Sequence, residues 1–264
     1  MSAWTIGYAV LLYVALVVLV GGLSYRIAIY TMTPAPLRIP TMPAPRTRAG
    51  VAVRMAGEVG LFTSLFRGDK WAWIWSYLFH VSLLLVLLQH LRYVLNPVPW
   101  WVRIESPFGS YAAFVLVASL IGLFGRRLAV ARVRFVSGPS DYLMLLLLLA
   151  IGITGGMMRF QSPVDIISLK AFILGLMYLH LQPLPAAPLI LVHIALVASL
   201  MVVLPFSKLL HAPGVFFSPT RNQADRSRLE PHGPSMPHGS SSMSHEPSVA
   251  GAGGPVNAGQ EKSA

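Results

Sequence analysis

Five stretches of the chain stay apolar over the length a helix needs to cross a bilayer: about residues 4–24, 74–95, 109–126, 140–158 and 188–207. Hydrocarbon about 30 Å thick takes roughly 20 helical residues to span. Lipid offers no partner to an open backbone polar group, so such runs are read as helices. The pattern predicts an all-α fold, a polytopic membrane bundle of five transmembrane helices. Tryptophans 71, 73 and 75 open the second span, and Trp100 and Trp101 follow it, where interfacial anchors belong.

Between the spans the pattern changes. Residues 31–47, TMTPAPLRIPTMPAPRT, carry prolines at 34, 36, 40, 43 and 45 and predict an extended arm. Residues 48–66 read as a helix with one apolar side, lying on the membrane or against a partner. Together they make an arm and docking loop over 25–73. Val164 to Leu181 is partly apolar, which fits an interfacial or re-entrant helix or a short sixth span; Asp165 and Lys170 argue against a full crossing. The membrane domain then covers 1–211. From 212 to 264 Gly, Pro, Ser, Met and His dominate, and a disordered tail is expected. His232, His238 and His245 with Met236 and Met243 are a soft-metal set within it, set against the plain reading of a polar tail.

Composition supports the membrane reading: 55% of 264 residues are hydrophobic, 11% are charged, and mean hydropathy is +0.65. A soluble domain of this length cannot hide so much apolar surface. The first span lacks a basic n-region and an A-x-A site and is expected to be retained. Cysteine is absent, which excludes disulfides, thiolate-held iron–sulfur clusters and C-x-x-C-H haem attachment. Any redox cofactor must be held by nitrogen, oxygen or methionine sulfur.

The net charge of +11 is unevenly spread. Arg26, Arg38, Arg46, Arg48, Arg54, Arg67 and Lys70 fall between the first two spans, and Arg126, Arg127, Arg132 and Arg134 between the third and fourth. Lys208, Arg221, Arg226, Arg228 and Lys262 follow the fifth. Sixteen of the twenty basic residues thus share one side, leaving Arg92, Arg103, Arg159 and Lys170 on the other. The positive-inside rule makes the rich side cytoplasmic, with the N-terminus out and the C-terminus in. Strict alternation between loops favours topology over a nucleic-acid surface.

Against this background four histidines stand out, His80 and His90 in the second span, His193 and His211 in and just after the fifth. Polar side chains in hydrocarbon are costly and usually face a bundle interior or a function. The two spans run in opposite directions, so His90 falls level with His193, and His80 with His211. Each pair can offer two axial nitrogens to a haem iron; hydrogen bonding between helices is the plain alternative. Ten residues leave His80 and His90 roughly 80° apart around a helix, while eighteen residues, five whole turns, put His193 and His211 on one face. Tilt, ring orientation or a kink at Pro205 must absorb the mismatch. Gly155 and Gly156 on the fourth span offer room for a macrocycle.

The segments FHVSLLLVLLQH and HIALVASLMVVLPFSKLLH resemble the di-haem cytochrome b subunit of respiratory nitrate reductase, its gamma chain. The arm TPAPLRIPTMPAPRTRAGVAVRMAGEV, the HLRY after His90, PFGSYA and PSDYLM resemble the cytochrome b subunit of the membrane complex associated with dissimilatory sulfite reductase. The resemblance covers about residues 1–220. It implies two haem b groups, held by His80/His211 on the inner side and His90/His193 on the outer. It also implies a cytoplasmic iron–sulfur partner akin to heterodisulfide reductase catalytic subunits, with further membrane and periplasmic subunits, in a bacterial cytoplasmic membrane.

Such a wire exchanges electrons with something lipid-soluble, and a quinone, ubiquinone or menaquinone, is the expected substrate. Near the outer pair, Glu105 is the candidate proton acceptor, and Arg92 and Arg103 are candidates to hold a quinone oxygen or a haem propionate. His180 is a further outer-surface candidate. A redox-silent membrane anchor and a proton-coupled transporter with histidine relays are the rival classes. No internal repeat supports the transporter.

Overall fold

The computed structural model describes residues 2–33 and 43–225. Most of the proline-rich arm and the histidine- and methionine-bearing tail from 226 onward lie outside the described residues. The elements are α1 (Ala3–Met32), α2 (Arg48–Leu61), α3 (Thr63–Gly68), α4 (Lys70–Val94), α5 (Trp100–Ala129), α6 (Ala131–Phe135), α7 (Pro139–Phe160), α8 (Ile166–Met177) and α9 (Pro188–Val203). Two 3₁₀ turns, Leu204–Phe206 and Lys208–Leu210, lead into α10 (His211–Phe217) and α11 (Pro219–Asn222). No strand occurs among the described residues. Helices α1, α4, α5, α7 and α9 with its extension to Phe206 are long and apolar enough to cross a membrane.

The five spans are those expected, and their ends follow local chemistry. Asp69 opens α4 as its N-cap, accepting from the Ala72 N–H at 2.9 Å. α5 begins at Trp100 rather than near 109 and carries Pro107 inside it. α7 starts on Pro139, whose fixed φ suits the first helical position, and the Asp141 carboxylate accepts from the Gly138 N–H at 3.0 Å.

Three expectations need correction. The helix expected over 48–66 is broken at Phe62, whose backbone is left-handed (φ 51°), so α2 and α3 are separate. The last span does not kink at Pro205 and continue. Proline removes a backbone donor and crowds the preceding turn, so the α-helix ends at Val203 and two 3₁₀ turns carry the chain to His211. The five-turn count from His193 to His211 therefore fails. Finally, ordered chain runs past the expected boundary at 212, through α10 and α11. Tyr30 and Phe217 pack with ring centroids 5.8 Å apart, and the Asp225 N–H donates to the Pro45 carbonyl at 3.0 Å.

Packing runs in a row: α4 on α5, α5 on α7, α7 on α9, α9 on α1. Glycines set the closest approaches. A Cβ on Gly22 of α1 would stand 2.7 Å from the Pro205 Cβ, and one on Gly122 of α5 would land on the Trp75 indole, 2.5 Å from Cε3. The helix α8 is about 18 Å long, too short to cross. It packs on α4, and Lys170 Nζ donates to the Leu95 carbonyl at 2.9 Å where α4 ends. Residues such as Val17 (71% exposed) and Leu143 (67%) face outward, as lipid-facing positions should.

Several of the basic residues on the charge-rich side are tied into the fold. Arg126 pairs with Asp69 at 2.5 Å, and Asp141 takes Lys208 at 2.7 Å and Arg127 at 3.5 Å. Arg221 of α11 pairs with Glu58 of α2 at 2.7 Å, and the Ser64 hydroxyl donates to the same carboxylate. Burial pushes the Glu58 pKa up, but the Ser64 side-chain and backbone donors and the Arg221 charge outweigh it and hold it below the usual carboxylate value.

Candidate functional site

The helices bearing three of the four histidines, α4 and α9, are not packed on one another. They face each other across a cavity of about 330 Å³ that α5, α7 and the segment entering α8 complete. That size is within the range of small-molecule and cofactor sites. Its lining on α4 runs from Phe79 to Tyr93, about 21 Å along the helix. His90 and His193 both line it, across from one another. Gly155 permits this: a Cβ there would sit 3.2 Å from His193 Cε1.

His80 and His211 meet at the other level, their ring centroids 5.9 Å apart and their planes at 89°. Two imidazoles on opposite faces of one metal ion, each bonded at about 2 Å, place their centroids roughly 6 Å apart. Phe62 and Phe79 brace the His80 ring edge-to-face, each at 4.9 Å between centroids. The left-handed backbone at Phe62 is costly for a bulky residue, and it stands where the chain turns that ring onto His80. Lys208, three residues before His211, is anchored on Asp141, which fixes the 3₁₀ segment to the start of α7.

The hydrogen bonds of the four rings share a form. His80 Nδ1 reaches the Ser76 carbonyl at 2.7 Å, His90 Nδ1 the Val86 carbonyl at 2.6 Å, and His211 Nδ1 the Lys208 carbonyl at 3.2 Å. A carbonyl only accepts, so Nδ1 carries the proton and Nε2 keeps its lone pair. His193 reaches the same state by another route. Its Nδ1 lies 2.8 Å from Thr154 Oγ1, and that hydroxyl already donates to the Ala150 carbonyl at 2.8 Å. A hydroxyl has one proton to give, so toward His193 it accepts. All four rings thus present Nε2 as the metal-binding nitrogen, held by the partner bond that metal-binding imidazoles usually have.

Among the described residues no group of three or more His, Asp or Glu side chains converges on one point. The imidazoles come in twos. A metal held by two axial nitrogens must bring its equatorial ligands with it, and a haem does so. The donor set, the 5.9 Å spacing and the cavity between α4 and α9 fit that group.

Other polar residues gather at the His90 end of the cavity. Gln89 Nε2 donates to Ser110 Oγ at 2.8 Å, and Arg159 Nε donates to the same oxygen at 3.1 Å. Arg92 lines the cavity and lies 3.4 Å from Ser106 Oγ. Arg103, by contrast, is exposed and turned back on its own loop, donating to the Val98 carbonyl from Nε at 3.1 Å and Nη2 at 3.0 Å. It does not line the cavity, nor does the exposed His180. Both carboxylate oxygens of Glu105 are buried and unbonded; the Gly109 N–H approaches without reaching hydrogen-bond geometry. Glu105 sits on the α4–α5 seam, where a Cβ on Gly109 would stand 2.6 Å from its Oε1 and 2.8 Å from the Gln89 Cβ. Sequence reasoning missed Thr154, Arg159 and Phe62 as site residues. The first two had a signal, a polar residue in or ending an apolar span.

Five apolar helices with imidazoles paired at two levels define a multi-pass α-helical membrane protein of the cytochrome b type. The chain belongs to the nitrate reductase gamma subunit family, whose model matches residues 62–223. It is also similar to two archaeal proteins described as "Hdr-like menaquinol oxidoreductase cytochrome b-like subunit". It is 34% identical to the one from Archaeoglobus fulgidus, over 83% of this chain and 80% of that protein. To the one from Archaeoglobus profundus it is 31% identical, over 83% and 79%. The family match begins at Phe62 and takes in all four histidines.

Proposed function

We propose that this chain is a quinone-reactive, di-haem b membrane subunit that passes electrons between a membrane quinol/quinone pool and a cytoplasmic iron–sulfur partner. Its complex serves sulfur metabolism. The observation that carries the reading is the set of four imidazoles, paired at two levels, each with Nδ1 engaged and Nε2 free. His80 and His211 hold one haem and His90 and His193 the other. With both faces of its iron closed by imidazole, such a haem supplies one-electron transfer without binding oxygen.

The remaining roles fall to residues of this chain. Oxidising a quinol releases two protons with its two electrons, so the site needs a base; Glu105, buried without a partner beside Gln89, takes that role. Arg92 and Arg159 hold the oxygens of a quinone or a haem carboxylate at the cavity wall. Arg103, engaged by Val98, braces the loop between α4 and α5 instead. The charge distribution puts the His80/His211 end, α2, α3 and α11 on the cytoplasmic side, where the partner docks, in a bacterial inner membrane. The printed description of the Archaeoglobus proteins, a menaquinol oxidoreductase subunit, supports a quinol-linked role and favours menaquinol. The family match alone leaves a nitrate reductase-type partner as the second reading.

Haem stoichiometry tests this. The purified protein should bind two haem b per chain. Alanine at His90 or His193 should remove one and alanine at His80 or His211 the other, with distinct reduced-minus-oxidised bands. No reducible haem, or two haems surviving all four changes, refutes the assignment.

A further inference from the structure

We propose that the lipid-facing groove between α5 and α7 holds the isoprenoid tail of a quinone whose ring enters the His90–His193 cavity. The groove, about 320 Å³, is walled by Phe114, Val117, Ile121, Ile153, Met157 and Phe160. Phe114 and Phe160 are 56% and 43% exposed, and their rings pack 4.8 Å apart at one end. Ala113, Gly152 and Gly156 line both the groove and the cavity. The two spaces lie back to back, with small residues alone common to both walls.

The two sides differ in chemistry. The cavity offers Gln89, Arg92, Ser110 and Arg159 as polar partners, which suits the oxygens of a quinone ring. The groove wall is apolar but for Gln161, which suits a branched hydrocarbon tail entering from lipid. A fatty acyl chain would match the groove alone and would leave the polar half unexplained.

The neighbours Gly155 and Gly156 separate the two functions. A Cβ at Gly155 presses on His193, whereas one at Gly156 meets nothing within 4 Å. Gly156 is therefore not needed for packing within this chain, and a larger side chain fits there by filling the passage. Leucine also favours the helix over glycine.

The inference rests on the quinone-linked reading, and the experiment separates the two. Gly156→Leu is assayed for haem content and for quinol-dependent haem reduction, with a long-tailed isoprenoid quinol and a tailless quinol. The haem spectrum should be unchanged. KM for the long-tailed quinol should rise about tenfold, the worth of roughly two buried CH2 groups, with the tailless quinol little affected. Equal KM changes for both quinols, or none, overturn the groove assignment while leaving the quinone reading intact. Failure of either quinol to reduce the wild-type haems overturns the underlying reading. Should Gly156→Leu lose haem, a quinone with a photoreactive tail, cross-linked to the unaltered protein, decides. Labels within 113–121 or 152–161 support the groove; labels elsewhere refute it.

Discussion

Thr154 is the side chain on which the state of His193 depends, and replacing it by valine isolates that dependence. Valine keeps the β-branched shape, so helix geometry and volume barely change. What disappears is the acceptor 2.8 Å from His193 Nδ1. The ring's N–H is then left unpaired in a cavity wall, which costs about 1–3 kcal/mol. Loss of a hydrogen-bond partner behind a metal-binding imidazole usually costs 10- to 100-fold in metal affinity, about 1.4–2.7 kcal/mol. The two routes agree. The imidazole also becomes a poorer donor, so oxidised iron is less stabilised and the potential of one haem should rise. The assay is haem titration of the purified variant with a redox titration of both bands. The His90/His193 haem should bind 10- to 100-fold more weakly and shift in potential, the other should not move, and Thr154→Ser should restore both properties. Unchanged affinity and potential in Thr154→Val, or a serine variant as impaired as the valine one, would refute the hydrogen-bond account.

Two further predictions follow from the packing. The Glu58 pKa is lowered in the fold, so its contribution is fully present above the ordinary value of 4.5 and is lost as pH falls through the lowered value. Hydrogen exchange over residues 48–68 should therefore accelerate on acidification below about pH 4.5, and Glu58→Gln should show the faster exchange already at pH 7; identical pH profiles for the two proteins would contradict this. A Cβ at Gly122 lands on Trp75, whereas one at Gly21 meets nothing within 4 Å. Gly122→Ala should thus destabilise the detergent-solubilised protein by about 1–3 kcal/mol, as overpacking does, while Gly21→Ala is neutral or better, and equal melting temperatures would count against the packing.

Much of this protein is legible along one dimension. A bilayer requires about twenty apolar residues per helix, so the five spans show in the hydropathy, though polar caps and Pro107 hid the true start of α5. The histidines show because imidazole is out of place in such runs, and antiparallel spans suffice to say which should lie level. The structure does bring His80 to His211, and His90 and His193 to one cavity. Counting turns failed where proline ended the helix, because the count assumes a ladder that Pro205 interrupts. Nothing local could tell that Arg103 folds back on Val98 while Arg159 joins Ser110, or that Phe62 leaves the helix to brace His80. Nor could it show that Thr154 holds the proton of His193. Span, charge and residue type are properties of the chain itself. Which hydroxyl meets which ring, and which glycine faces the cavity, depend on the rotation of packed helices about their axes, and contacts between distant residues set that rotation.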